Sequence, residues 1–294
     1  MTGATFLGLT TLDLIYLVER LPAENEKIVA EQQEVAAGGP AANAAVTFAH
    51  LGGTARLVTG VGSSTFARVA KDDLAAHRVE VADLAWDSGG QPPVSSIAVT
   101  KSTGHRAVVS VNSRPFQIPA SALGADVFGS TALLMVDGHH MELAIVAAER
   151  ARAAGMRVVF DGGSWKPGTE ELLRLVDAAI CSNDFRPPGC DSADDAIEAM
   201  SSLWFSAVTD GPEPVRYRAG TRAGRLDVPA VPVVDSLGAG DILHGAFCWY
   251  LVELADPVAA LRRAISVAAR SCSSFGTRAW MTADVGAGHG PLVR

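Results

Sequence analysis

The segment Asp235-Ser-Leu-Gly238-Ala239-Gly240-Asp241 sets two carboxylates around a glycine-rich turn, directly before the apolar run Ile242-Leu-His-Gly-Ala-Phe-Cys-Trp-Tyr-Leu251. Glycines let the backbone approach a ligand closely, and a helix start offers unpaired N–H groups and the positive end of a dipole. Such a turn is an anion cradle, suited to a phosphate or to the charge that develops as one is transferred. Asp241, at its mouth, can accept a hydroxyl proton while that oxygen attacks phosphorus. Taken alone, the same residues equally describe a tight turn whose first-turn Asp favours the helix dipole, because short glycine motifs are weak signals.

Short apolar runs at 5–9, 56–59, 132–137, 157–161, 178–181 and 206–209 predict buried strands. Between and after them, helical patterns cover 40–51, 65–77, 141–154, 170–175, 193–203, 239–253 and 257–275. Continuous apolar strands alternating with helices predict a three-layer α/β/α sandwich around a mostly parallel sheet. Ligands then gather at the carboxyl ends of the strands. Two segments, 28–36 and 95–111, instead alternate like half-exposed strands, the second with a hairpin turn at Ser102-Thr-Gly-His105. They predict a small antiparallel β lid, built from about 12–37 and 94–112, on a single domain spanning 1–294. The Gly-rich tail 283–294 reads as loose.

Composition narrows the function classes. The 294 residues are 48% hydrophobic and 19% charged, with formal net charge -8 and no long basic run, which argues against a nucleic-acid partner. No apolar stretch approaches the ~20 residues of a membrane span, and the N-terminus lacks a basic start before an apolar run. The four cysteines, Cys181, Cys190, Cys248 and Cys272, show no Cys-x-x-Cys spacing and read as reduced thiols. A cytoplasmic location is the expectation.

Segment 235–241 resembles the Asp-Thr-x-Gly-Ala-Gly-Asp signature of ribokinase-like (PfkB-type) carbohydrate kinases. Gly38-Gly39-Pro-Ala-Ala-Asn43 resembles that family's N-terminal Gly-Gly-x-x-x-Asn motif, about 200 residues earlier, and the strand–helix rhythm matches over essentially the whole chain. The resemblance implies an ATP-dependent phosphotransferase in which Asp241 activates a sugar hydroxyl and Gly238, Ala239 and Gly240 form the anion hole. It implies nucleotide contacts at Asn183, at Thr209 and Gly211 of Val208-Thr-Asp-Gly211, and along 257–276 including Ser271 and Gly276. Magnesium would accompany ATP. In several members a potassium-type cation sits where Asp235 and the backbone near Ser271 and Gly276 lie here.

On the sugar side the resemblance implies Asp13, Gly38, Gly39 and Asn43. Asp137, before Gly138, resembles the acidic residue of ketohexokinase-like members. Lys27 resembles a lysine of the sulfofructose kinase branch; Lys27, Asn112 and Arg114 come from the two lid segments, and a closing lid would bring Lys27 and Asn112 to the far end of the sugar, where their donors suit an anionic group. His139 and His140 have no third partner spaced for zinc, and Trp165-Lys166 reads as rim. Dimerisation through the exposed lid edge is expected.

Two stretches depart from the family pattern. Asn183-Asp-Phe-Arg186 carries Arg where a magnesium-positioning Glu is usual, leaving Asp184 or the phosphates to hold the ion. Thr209-Asp-Gly-Pro-Glu-Pro214 lacks the second Gly of its loop. Three rivals stand beside the ketose kinase. A nucleoside kinase would want an apolar slot for a base. A dinucleotide oxidoreductase would want Gly-x-Gly-x-x-Gly after the first strand, which 3–8 does not supply. A sugar-binding regulator would have lost turnover. The identity of the sugar stays open among neutral ketoses, a sulfonated fructose and a sugar phosphate.

Overall fold

The computed structural model describes residues 3–113 and 117–282, so Arg114 and the tail 283–294 lie outside the described residues. In chain order the elements are β1 (Gly3–Leu7), β2 (Thr11–Val18), β3 (Gln32–Gly38), α1 (Pro40–His50), β4 (Thr54–Thr59), α2 (Thr65–Ala76), β5 (Val79–Asp83), β6 (Val94–Thr100) and β7 (Arg106–Ser110). There follow β8 (Leu133–Val136), α3 (Met141–Ala153), β9 (Arg157–Gly162), α4 (Thr169–Leu173), β10 (Ala178–Ser182), α5 (Ala193–Ala199), β11 (Phe205–Asp210), β12 (Glu213–Ala219), β13 (Arg222–Leu226), α6 (Ala239–Leu254) and α7 (Pro257–Ser271).

The main sheet runs β13-β12-β11-β10-β9-β8-β1-β4-β5, parallel from β11 to β5 and antiparallel at β12 and β13. Side chains alternate across it as a period of two requires. Ala4, Phe6, Leu133 and Met135 enter one core with α1, α2, α6 and α7. Leu7, Leu134 and Val136 enter the other with α3 and α5. The three-layer sandwich is as expected. From β1 the chain first adds β4 and β5 on one side, then returns to build β8 onward on the other. The carboxyl ends of β1 and β8 therefore flank the point where the direction of winding reverses, where open α/β sheets form a ligand crevice.

A second sheet, β3-β2-β6-β7, mixes antiparallel and parallel pairs and stands on Ile15, Leu17, Ile97 and Val99, against Leu237 and Phe275. Its edge strands leave Val35, Val108 and Val109 exposed.

Several boundaries shift. Segment 28–36 gives way to β3 at 32–38, and α5 stops at Ala199 rather than 203, where turns at 200–202 lead into β11. Strands β2, β5, β12 and β13 were not predicted as strands.

Candidate active site

Two helices bring the two glycine motifs together. Helix α1 is a run of small residues, Pro-Ala-Ala-Asn-Ala-Ala-Val, and α6 crosses it at Gly245, where a Cβ would stand 2.2 Å from the Ala44 carbonyl oxygen. Only a glycine there lets the backbones approach this closely. The first turns of both helices consequently meet, and Asn43 Nδ2 donates to Asp241 Oδ2 at 2.8 Å across 198 residues of chain.

Gly238 caps α6 in the left-handed region, φ +71. Asp241 is the third residue of the helix, so the amides before it have no acceptor within the helix; that of Ala239 lies 3.4 Å from the Ser236 carbonyl oxygen. The result is a cradle of N–H groups with a carboxylate on its rim. Desolvation, and then the negative charge of Asp161, push Asp241 up to about 7.

Under the cradle lies His244, 4% exposed. Its Nδ1 is 2.7 Å from the Gly240 carbonyl oxygen and its Nε2 is 3.0 Å from that of Ile180, with Asp161 Oδ2 3.3 Å from Nδ1. The ring is thus held between two backbone carbonyls of α6 and β10, beside the Asp161 carboxylate. Arg106 of β7 donates to Ser236 Oγ at 3.2 Å, and Ser236 Oγ donates to the Gly104 carbonyl at 3.2 Å, so the small sheet touches the segment that leads into the cradle.

Asp13 lies on β2, buried, and burial raises its pKa; its Oδ1 accepts from Thr11 Oγ1 at 2.6 Å. Its carboxylate lies against Gly38, where a Cβ would sit 1.9 Å from Oδ2. Gly39 caps α1. Asp13 and Gly38 touch, Gly39 caps the helix that carries Asn43, and Asn43 bonds Asp241, so the five form one chain of neighbours. Asp137 borders it but is turned inward. Its Oδ2 accepts from the Leu9 and Ala41 amides at 2.8 and 3.3 Å, and its Oδ1 from the His139 amide at 2.9 Å. It ties the end of β1 to the start of α1, and these contacts, with the His139 charge, hold its pKa below the usual carboxylate range.

The register separates Lys27 from Asn112. Ser95 pairs with Asp13 and with Ser110, so Asn112 follows the end of β7 nearest Asp13. Lys27 lies in the connection that leaves the far end of β2. It is flanked by Glu26, bonded to Arg20, and Glu31, bonded to Lys101 at 2.8 Å. From Asp13 to Val18 alone is about 17 Å of strand. Lys27 and Asn112 thus lie toward opposite ends of the small sheet.

Of the residues expected at the nucleotide, Thr209 is the penultimate residue of β11, its Oγ1 3.4 Å from the Cys181 carbonyl, and Gly211 turns the β11–β12 hairpin. The departure at Arg186 has a local consequence: its Nη2 donates to Asn183 Oδ1 at 3.1 Å, so a cation now faces that oxygen. Asp184 is exposed. Among the described residues no three His, Cys, Asp or Glu side chains converge to hold a metal ion. Asp235 is buried, which raises its pKa, and accepts from the Leu237 and Gly276 amides at 2.8 and 3.0 Å. Ser271 Oγ donates to the Ala268 carbonyl at 2.8 Å.

Sequence reasoning missed Asp161, His244, Arg106 and Arg278 as site residues. Asp161 ends an anticipated strand and His244 follows Asp241 by one helical turn, so both carried a positional signal. Arg106 and Arg278 carried none.

A carboxylate beside an amide cradle, at the strand ends of a doubly wound sheet, defines a phosphotransferase acting on a small hydroxyl compound. The model of the pfkB family carbohydrate kinases matches residues 1–283. Ribokinase of Haemophilus influenzae is 24% identical over 286 residues, covering 93% of both chains. Deoxyribokinase of Salmonella typhi is 25% identical over 291 residues, covering 92% of this chain and 93% of that protein. The solved ribokinase of Giardia lamblia superposes with a TM-score of 0.81 at 20% identity, covering 96% of each chain. The chain belongs to the pfkB family of carbohydrate kinases. It is an ATP-dependent kinase of sugars or nucleosides.

Proposed function

We propose that this kinase moves the γ-phosphoryl group of ATP to a primary hydroxyl of a ketose-type sugar, with Asp241 as the base. One observation carries the reading: Asn43 of the N-terminal motif donates to Asp241 of the C-terminal motif at 2.8 Å. Asp13, Gly38, Gly39 and Asn43, with Asn112 and Asp137 at the border, form the acceptor side. Asn183, Thr209, Gly211, Ser271 and Gly276 line the nucleotide side.

The hydroxyl loses its proton to Asp241 as its oxygen attacks the γ-phosphorus. The amides of the Gly238–Gly240 turn face the charge that spreads over the phosphoryl oxygens. Positioning and electrostatics suffice, with no covalent intermediate. Magnesium, bound on the ATP phosphates, would neutralise charge there. Asp235 would hold a potassium-type cation beside the turn, since its buried carboxylate meets only two amide donors.

Residues 1–294 act as one unit, with the small sheet as lid. The valines on its edges suit pairing with a second copy, which sedimentation at micromolar concentration reads directly. The four free thiols and the need for ATP suit the cytoplasm. Neither a membrane nor a nucleic acid is a partner in this reading.

A neutral ketose is favoured over 6-deoxy-6-sulfofructose because Lys27 and Asn112 leave opposite ends of the small sheet. A nucleoside is disfavoured because Asp13 and Asn43 present polar groups suited to a polyol. ADP release measured with ATP and D-fructose, D-ribose, 6-deoxy-6-sulfofructose or adenosine tests this. The expectation is kcat/KM for fructose at least tenfold above that for adenosine and for the sulfonated sugar. Preference for adenosine makes the protein a nucleoside kinase. Sugar binding without turnover makes it a regulator.

A further inference from the structure

Arg278 lies outside both glycine motifs, in the turn after α7, and its side chain is 11% exposed. It reaches the site from behind Asn43. Nη1 donates to Asn43 Oδ1 and to Thr277 Oγ1, both at 3.0 Å. Nη2 donates to the Ala37 carbonyl at 2.6 Å and to Asp73 Oδ2 at 3.0 Å. Asp73, on α2, also accepts from the Ala37 amide at 3.0 Å and pairs with His77 at 3.2 Å. Glu34 of β3 accepts from the Thr277 amide at 3.2 Å, adding a second acid near the guanidinium. One planar fork ties α1, α2, the end of β3 and the last turn of the domain.

We propose that Arg278 is a positioning residue for the base, fixing the Asn43 amide so that its NH2 group faces Asp241. The two ends of an amide are nearly alike in shape, so partners decide which way it points. A guanidinium has donors only and requires the oxygen on its side. A carboxylate accepts and requires the NH2 on the other. Flipping the amide would set NH2 against the guanidinium and C=O against the carboxylate, two repulsions at once. The Asn43 bond in turn holds Asp241 Oδ2, leaving Oδ1 to meet the acceptor hydroxyl. Asp73 anchors the far edge of the fork. A lysine offers one compact ammonium and cannot span Asn43 and Asp73 together.

This inference rests on Asp241 being the base. The test is a double-mutant cycle in the full chain, read on kcat with ATP and the best acceptor of the panel above, with Asp241→Asn as reference. Asn43→Ala is expected to lower kcat roughly 10- to 100-fold and Arg278→Met about tenfold. If Arg278 works through Asn43, the double variant falls no further than Asn43→Ala alone, within about twofold. The acid limb of the Arg278→Met pH profile also moves to higher pH, because the Asn43 bond holds the Asp241 pKa down. Arg278→Lys, which keeps a cation beside Asp73, should melt closer to wild type than Arg278→Met without recovering kcat, and it replaces Arg278→Met in the cycle if that variant does not fold. Losses that multiply in the double variant overturn the inference, as does wild-type kcat in either Arg278 variant. Turnover retained by Asp241→Asn overturns the base assignment instead, so the two failures are distinct.

Discussion

Asp241→Asn lowers kcat by about 10²- to 10⁴-fold, the range removed with a general base, and leaves ATP affinity within about threefold. The asparagine fills the same space at the third position of α6, and the Gly238–Gly240 amides proposed to meet the phosphates are untouched. What is lost is an acceptor for the hydroxyl proton. The same substitution stabilises the fold in one pH window. An unfolded-chain aspartate ionises near 4, whereas Asp241 is pushed up to about 7. The folded state therefore holds this proton more tightly. Its stabilising effect is complete below about pH 4 and is lost as pH rises through 7. Removing the charge should raise stability at pH 8 by on the order of 1 kcal/mol, discounted because the side chain is partly exposed, and by almost nothing at pH 4. Steady-state kinetics, nucleotide titration and melting at the two pH values check the three parts. A variant that turns over normally would end the assignment.

Gly238→Ala should lower kcat about 10²- to 10³-fold, the loss seen when an anion-hole donor is removed. At φ +71 an alanine costs roughly 1–2 kcal/mol. Its Cβ would also stand 3.1 Å from Thr277 Cγ2, 3.5 Å from Asn43 Nδ2 and 3.7 Å from Asp241 Oδ2. The turn must move to relieve the first contact, and the amides it aims move with it. The KM for ATP should rise alongside, unlike in Asp241→Asn, and Tm should drop by a few degrees. Equal KM values in the two variants would place the cradle elsewhere.

β5, Val-Glu-Val-Ala-Asp at the sheet edge, lacks an apolar run and was missed, whereas the other six parallel strands of the main sheet were legible as short apolar runs, the pattern of a strand buried on both faces. β2 hid for the same physical reason: Thr-Leu-Asp-Leu-Ile-Tyr-Leu-Val lies in the middle of the small sheet, mostly buried, and shows no alternation. β12 and β13 carry four arginines between them and no apolar run, so only their pairing on β11 makes them strands. In the site, the glycine motifs announced Asp241 and Asn43 because special backbone leaves a mark in sequence. The ring of charges behind them does not. Arg278, Asp73 and Asn43 come from three elements far apart in the chain, and nothing in their local spacing says that a guanidinium will fall between an amide and a carboxylate.

The pH dependence of kcat/KM for the acceptor tests the claim that Asp241 takes the proton. The base works only when ionised, and burial together with Asp161 pushes it up to about 7. The account predicts a rise of about tenfold per pH unit below neutrality, with one inflection near 7 and a plateau above. A profile that stays flat from pH 5 to 8 would contradict it.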